Sequence, residues 1–146
     1  MGTPAVMAVQ VQDTVKWSYV NYDGYVSDTG RKLVEFYNDV ESADALISLG
    51  DLSILDKSIE CPEGHSFGTP IRGYTIAYTR DRGETGCDPR IGNYSDFLHM
   101  NKNIIRYLFK DGMWYIVRLE YEYKGMDLKQ RYKLLPVGEV LAGLHD

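Results

Sequence analysis

The segment Trp114 to Tyr123, WYIVRLEYEY, carries the cleanest period-two alternation in the chain. Tyr115, Val117, Leu119, Tyr121 and Tyr123 fall on one side, and Arg118, Glu120 and Glu122 on the other. Side chains alternate across a strand every two residues, whereas a helix would mix the two sets, so this stretch is committed to a sheet. Asp111-Gly112 just before it favours a tight turn and predicts a hairpin with the preceding IIRYLF. Lys124-Gly125 turns into a third arm, MDLKQRYKLL, and Pro136 can open a short terminal helix, VGEVLAGL. The chain therefore closes in a three-stranded meander.

Upstream the pattern is more broken. AVMAVQVQ alternates weakly, and TVKWSYVNY reads as a strand ended by the turn pair Asp23-Gly24. Ser27 is placed to cap a helix over DTGRKLVEFYN, with Gly30, Leu33, Val34 and Tyr37 on its apolar face. Asn38-Asp39 interrupts it. A second helix fits ESADALISL, with Ala43, Leu46 and Ile47 inward and Gly50 at a left-handed C-cap. The stretch from Asp51 to Gly73 is punctuated by glycine and proline and reads mostly as loop. YTIAYT then predicts a strand with Tyr74, Ile76 and Tyr78 on one face. RDRGETGCDPRIGN is a second long loop, and Ser95 can cap a short helix, DFLHMNKN. Strands and helices do not alternate regularly, which argues against parallel βαβ units. The expectation is one α+β domain over residues 1–146. It has a mostly antiparallel twisted sheet and two or three short helices packed on one face.

Twelve tyrosines against four phenylalanines and two tryptophans fit either a single-layer sheet with one wet face or an aromatic contact surface. A net charge of −5 argues against a non-specific nucleic-acid binder, which needs a basic face. No apolar run approaches the length of a membrane span, and no leader pattern opens the chain. Cys61, His65, Cys87 and His99 are zinc-ligand types, yet their spacing fits no finger or ribbon, so no metal or other cofactor is expected.

Candidate functional residues cluster in three places. Arg80 and Arg82 flank Asp81 in a loop completed by Gly83 and Glu84. If the strand runs into this loop, residues two apart point the same way, and two guanidiniums could grip a phosphate or carboxylate. The competing reading is that Asp81 and Glu84 neutralise the arginines. In the turn NYDGY, Asp23 supplies a carboxylate and Tyr22 and Tyr25 supply aromatic surface, or Asp23 closes an Asx-turn. His65 lies beside Ser66 in GHSFG, which lacks the spacing of a nucleophile elbow and so favours a loop histidine over a catalytic one. If these loops meet, they form one charged, tyrosine-edged rim.

Taken together, YVNYDGYVSDTGRKLVEFYND, LISLGDLS, PEGHSFGTPIRGYTIAYTRDRGE and YLFKDGMWY resemble a family of small uncharacterised bacteriophage and prophage proteins. The resemblance departs at Asn21-Tyr22, where members often carry His-Trp, and at Val26, where they carry proline. It implies a phage setting in the host cytoplasm and no mechanism. The expectation is an accessory protein that binds and inhibits a host protein, such as a CRISPR effector or another defence component, with self-association open. The alternatives are a nucleotide-messenger binding or degrading protein using Arg80 and Arg82, and, least favoured, a metal-dependent nuclease.

Overall fold

AVMAV near the N-terminus is apolar at every position, and such a run suits a strand covered on both faces. In the computed structural model, which describes residues 2–100 and 103–144, this run is the centre of the sheet. Strand β1 (Ala5–Val11) pairs antiparallel with β2 (Thr14–Val20) and parallel with β6 (Ile105–Lys110). The full order is β4-β3-β2-β1-β6-β7-β8, with β3 (Leu52–Ile54), β4 (Ile76–Ala77), β7 (Met113–Lys124) and β8 (Asp127–Pro136). A short strand β5 (Arg90–Gly92) also pairs with β2. The sheet is mixed: β1–β6 and β2–β3 are parallel, and the other pairings are antiparallel. The α+β class and the C-terminal meander hold.

Three helices pack on one face. They are α1 (Arg31–Phe36), which continues a π-helical turn at Val26–Gly30, α2 (Val40–Ser48) and α5 (Val137–Gly143). Leu33, Ala43, Leu46, Ile47 and Leu141 bury there against Met7, Tyr107 and Trp114. Asp39 and Ser42 close a reciprocal capping box on α2, and Gly50 takes φ +83° beyond its end. The expectation of one wet face is corrected. Helix α4 (Tyr94–Met100) covers the other face, where Phe97 and Leu98 pack on Val6, Ala8, Trp17 and Leu108.

Local starts and stops also differ. Tyr25, not Ser27, precedes the first helical turn, and its side chain makes no cap. Asn93, not Ser95, accepts the capping N–H, that of Asp96, at 2.8 Å. The strand expected at YTIAYT is only Ile76–Ala77, because Tyr78 starts helix α3 (Tyr78–Arg82), which ends on Gly83 at φ +71°. Among the described residues no helix is long and apolar enough to cross a membrane.

Candidate functional site

The helical turn α3 decides what the two arginines can do. Residues two apart on a helix point about 200° from each other around its axis. Arg80 and Arg82 therefore diverge, and the expected two-guanidinium clamp is corrected. Arg80 turns inward. Its Nε and Nη2 donate to the Asp81 carboxylate at 2.9 and 3.1 Å, Nη2 also to the Thr75 carbonyl at 2.9 Å, and Nη1 to the Ile59 carbonyl. The Asp81 side chain is fully buried and also accepts the Ala77 N–H at 2.8 Å. Burial opposes its charge, but the Arg80 hydrogen bonds, the Ala77 N–H and the Arg80 charge outweigh that and hold its carboxyl below the usual range.

His65 belongs to the same buried knot. Its Nδ1 accepts the Ile71 N–H at 2.9 Å, so the proton sits on Nε2, which donates to the Thr75 carbonyl at 3.2 Å. The Asp81 carboxylate lies 3.6 Å from Nε2. Arg80, Asp81 and His65 thus tie the loop from Ile59 to Thr75 onto α3. Their polar atoms are turned on one another and on main-chain groups.

Arg82 turns outward. Its guanidinium lies 4.2 Å from the Phe67 ring centre and 4.9 Å from that of Tyr78, and it pairs with Glu84. Arg82 and Glu84 line a cleft of about 180 Å³ together with Asn21, Asp51, Tyr78 and Cys87. Asn21 donates to the Tyr78 hydroxyl at 2.8 Å. Burial and the carboxylates of Asp51 and Glu84 push the Cys87 thiol up, away from the thiolate a nucleophile needs.

The Asp23 turn lies at the same end of the sheet, because Val20, Leu52 and Ala77 are successive partners across β2, β3 and β4. Asp23 has φ +57°, and its main-chain oxygen, not its carboxylate, accepts from Thr29. The Asx-turn is corrected accordingly. Tyr22 and Tyr25 are exposed. Asn21 lines the cleft but Asp23 does not, so the expected rim is assembled only in part. Cys61, His65, Cys87 and His99 each find separate main-chain partners. Among the described residues no three His, Cys, Asp or Glu side chains gather as a metal site.

The most exposed apolar surface lies elsewhere. β6 pairs with β7 only as far as Tyr107 with Ile116, whereas β7 and β8 stay paired from Tyr115 with Pro136 to Lys124 with Asp127. Val117 is buried, and Leu119 and Tyr132 are half-buried, so the two strands leave the body as a free ribbon only beyond them, from Glu120 paired with Arg131. At ~3.4 Å per residue the five free pairs reach roughly 17 Å. A two-residue turn closes the tip, with Gly125 at φ +68° as a type II′ turn requires. One ribbon face pairs Glu120 with Arg131 and Glu122 with Lys129 across the strands. The other carries Leu119, Tyr121, Tyr123, Leu128 and Tyr132, and Arg106 lies under the Tyr132 ring at 5.0 Å. Tyr121 is 59 % exposed, Tyr123 72 %, Leu128 54 % and Met126, at the turn, 98 %. The alternation places the tyrosines on one face but does not show that, among the described residues, its outer part at Tyr121, Tyr123 and Leu128 is left exposed. The available signal was length, since β6 has 6 residues against 12 in β7. No family model, curated protein or solved structure matches the chain.

Proposed function

We propose that the protein acts by binding another protein, with the β7–β8 ribbon as its contact surface. One observation carries this reading: a two-stranded arm with both edges open presents Tyr121, Tyr123, Met126 and Leu128 to solvent. An isolated hairpin is at best marginally stable in water, and long open strand edges are normally covered. Exposed aromatic and methionine side chains are what the centre of a protein interface is enriched in. The paired stretch from Val117 to Leu134 also holds five basic and three acidic side chains, a small positive surplus in a chain of net charge −5. The partner that fits is a protein with an apolar patch rimmed by acids. We read the phage resemblance as pointing to a partner in the host cytoplasm, with inhibition of a defence component such as a CRISPR effector as the proposed outcome.

Nucleotide binding through Arg80 and Arg82 is less well supported. Arg80 is spent inside the fold, and the cleft beside Arg82 holds about 180 Å³, below the roughly 300–1,000 Å³ of small-molecule sites.

The test uses Y121E/Y123E/L128E. Labelled wild-type protein in bacterial host extract is expected to elute as a larger complex, and the variant alone, with an unchanged unfolding midpoint. Truncating an aromatic anchor typically costs about 2 kcal/mol or more, so loss of the complex should be complete at micromolar protein. Complexes that persist with the variant defeat the ribbon as the contact. A mass increase in buffer alone that grows with protein concentration assigns the ribbon to a second copy instead.

A further inference from the structure

β8 is the last strand of the sheet, and among the described residues no strand pairs with its outer edge. The turn at Gly125-Met126 fixes which of its main-chain groups face that edge. A two-residue turn makes Lys124 and Asp127 a hydrogen-bonded pair, and bonded and non-bonded pairs then alternate along an antiparallel ladder. Lys129, Arg131 and Lys133 therefore spend their N–H and C=O groups on β7. Those of Leu128, Gln130, Tyr132 and Leu134 point away from it. Pro136, which has no N–H to lose, falls in the outward set. The Asp111-Gly112 turn sets the same phase from the other side. It makes Lys110 and Met113 a bonded pair, bonds Tyr115 to β6 and leaves Ile116 for β8. Among the described residues no turn or loop main chain takes up the outward groups of β8.

The side chains along this edge sort onto two faces. Lys129, Arg131 and Lys133 stand on one, and Leu128, Gln130, Tyr132 and Leu134 on the other. Arg131 pairs with Glu122 at 2.8 Å. Lys129 and Lys133 form no ion pair among the described residues, and Lys133 lies directly across from a second cation, Arg118. On the other face Tyr132 and Leu134 are half-buried against the cluster that holds Trp17, Phe97 and Val117. An apolar side chain set beside them extends a surface that is already packed. A second copy is a poor match, because antiparallel pairing would bring its own Lys129, Arg131 and Lys133 to the same basic face.

We propose that the partner is held by strand addition: an extended segment of the partner protein, alternating acidic and apolar residues, pairs with the outer edge of β8. This rests on the ribbon as the contact surface and specifies how the partner is gripped. The segment's main chain bonds to Leu128, Gln130, Tyr132 and Leu134. Its acids meet Lys129, Arg131 and Lys133, and its apolar side chains lie beside Tyr132 and Leu134.

Amide hydrogen exchange in nitrogen-15-labelled protein reads this edge residue by residue. In the free protein the Lys129, Arg131 and Lys133 amides should exchange slowly, and those of Leu128, Gln130 and Tyr132 quickly. The probe is a peptide of alternating glutamate and valine, capped at both ends and matched to the 10 residues of β8, at neutral pH and low salt. At saturation it should slow the Leu128, Gln130 and Tyr132 amides about ten-fold and leave the other three as they were. An isomer with all its glutamates before all its valines should bind about ten-fold more weakly, and so should the alternating peptide on K129E/K133E. Strand addition is overturned if about 1 mM alternating peptide slows none of the three amides, if the block isomer binds as well, or if K129E/K133E binds unchanged. Gln130→Pro in host extract separates this proposal from the ribbon reading. It removes one outward N–H and spares the ladder with β7, so the complex should be lost with the unfolding midpoint nearly unchanged. A complex that survives Gln130→Pro but not Y121E/Y123E/L128E keeps the ribbon as the contact and overturns the added strand. One that survives both defeats the ribbon itself.

Discussion

Replacing Arg80 by methionine keeps the aliphatic stem and removes the guanidinium, which isolates what its charge does. Arg80 satisfies both Asp81 oxygens and the Ile59 and Thr75 carbonyls. Without it, the fully buried Asp81 keeps the Ala77 N–H, the His65 Nε2 contact at 3.6 Å and a long contact from the Cys61 thiol at 3.8 Å, none of which carries a fixed positive charge. Breaking a buried pair from one side typically costs about 3–5 kcal/mol, because a charge is left uncompensated. For a chain of this size that lowers the unfolding midpoint by roughly 10–20 °C. Arg82→Met is the control. Arg82 and Glu84 are nearly half exposed, so their pairing and the ring stacking together are worth about 1 kcal/mol, or a few degrees. Thermal unfolding at neutral pH, followed by circular dichroism, measures both. Adding Asp81→Asn to Arg80→Met removes the stranded charge and should recover part of the loss, a coupling above ~1 kcal/mol. An Arg80→Met midpoint no lower than that of Arg82→Met, or strict additivity in the cycle, would refute the buried-knot reading and return Arg80 to the candidates for ligand binding.

The remaining expectations use the same measurement. Because the folded carboxyl of Asp81 is held below its unfolded value, its stabilisation is complete above about pH 4 and is lost as pH falls through the folded value. Asp81→Asn should therefore flatten the acid limb of stability below pH ~4 while lowering stability at neutral pH. Burial, and then the Asp28 charge, push the Tyr107 phenol well up, and its hydroxyl donates to the Gly24 carbonyl at 2.7 Å. That contribution is complete below about pH 10 and fades above it, so Tyr107→Phe should cost about 1–2 kcal/mol at neutral pH and flatten the alkaline limb. At Gly50, φ is +83° and a Cβ would overlap the Cys87 carbonyl oxygen, so Gly50→Ala should cost at least ~2 kcal/mol, and a midpoint within 2 °C of wild type would contradict the contact.

What could be read from the sequence was what local periodicity and local sterics control. The alternation from Val117 to Tyr123 makes a strand whatever it packs on. Asp111-Gly112 makes a hairpin turn because both residues take positive φ, at 51° and 82°. Ala43, Leu46 and Ile47 face inward because a 3.6-residue repeat allows nothing else, and Gly50 stops the helix because it can go left-handed. The tertiary structure alone decided the rest. Central β1 alternates weakly because both of its faces are buried, and its partner β6 lies nearly 100 residues away. The arginine pair was read on a strand, where side chains two apart are parallel. One helical turn after Ala77 sends Arg80 into the fold and Arg82 out of it. The ribbon's tyrosine face was visible as a pattern, but a pattern records only which side chains share a surface. Whether that surface is covered depends on where β6 ends and which helices lie nearby, and a long-range contact leaves no mark in the spacing of neighbouring residues.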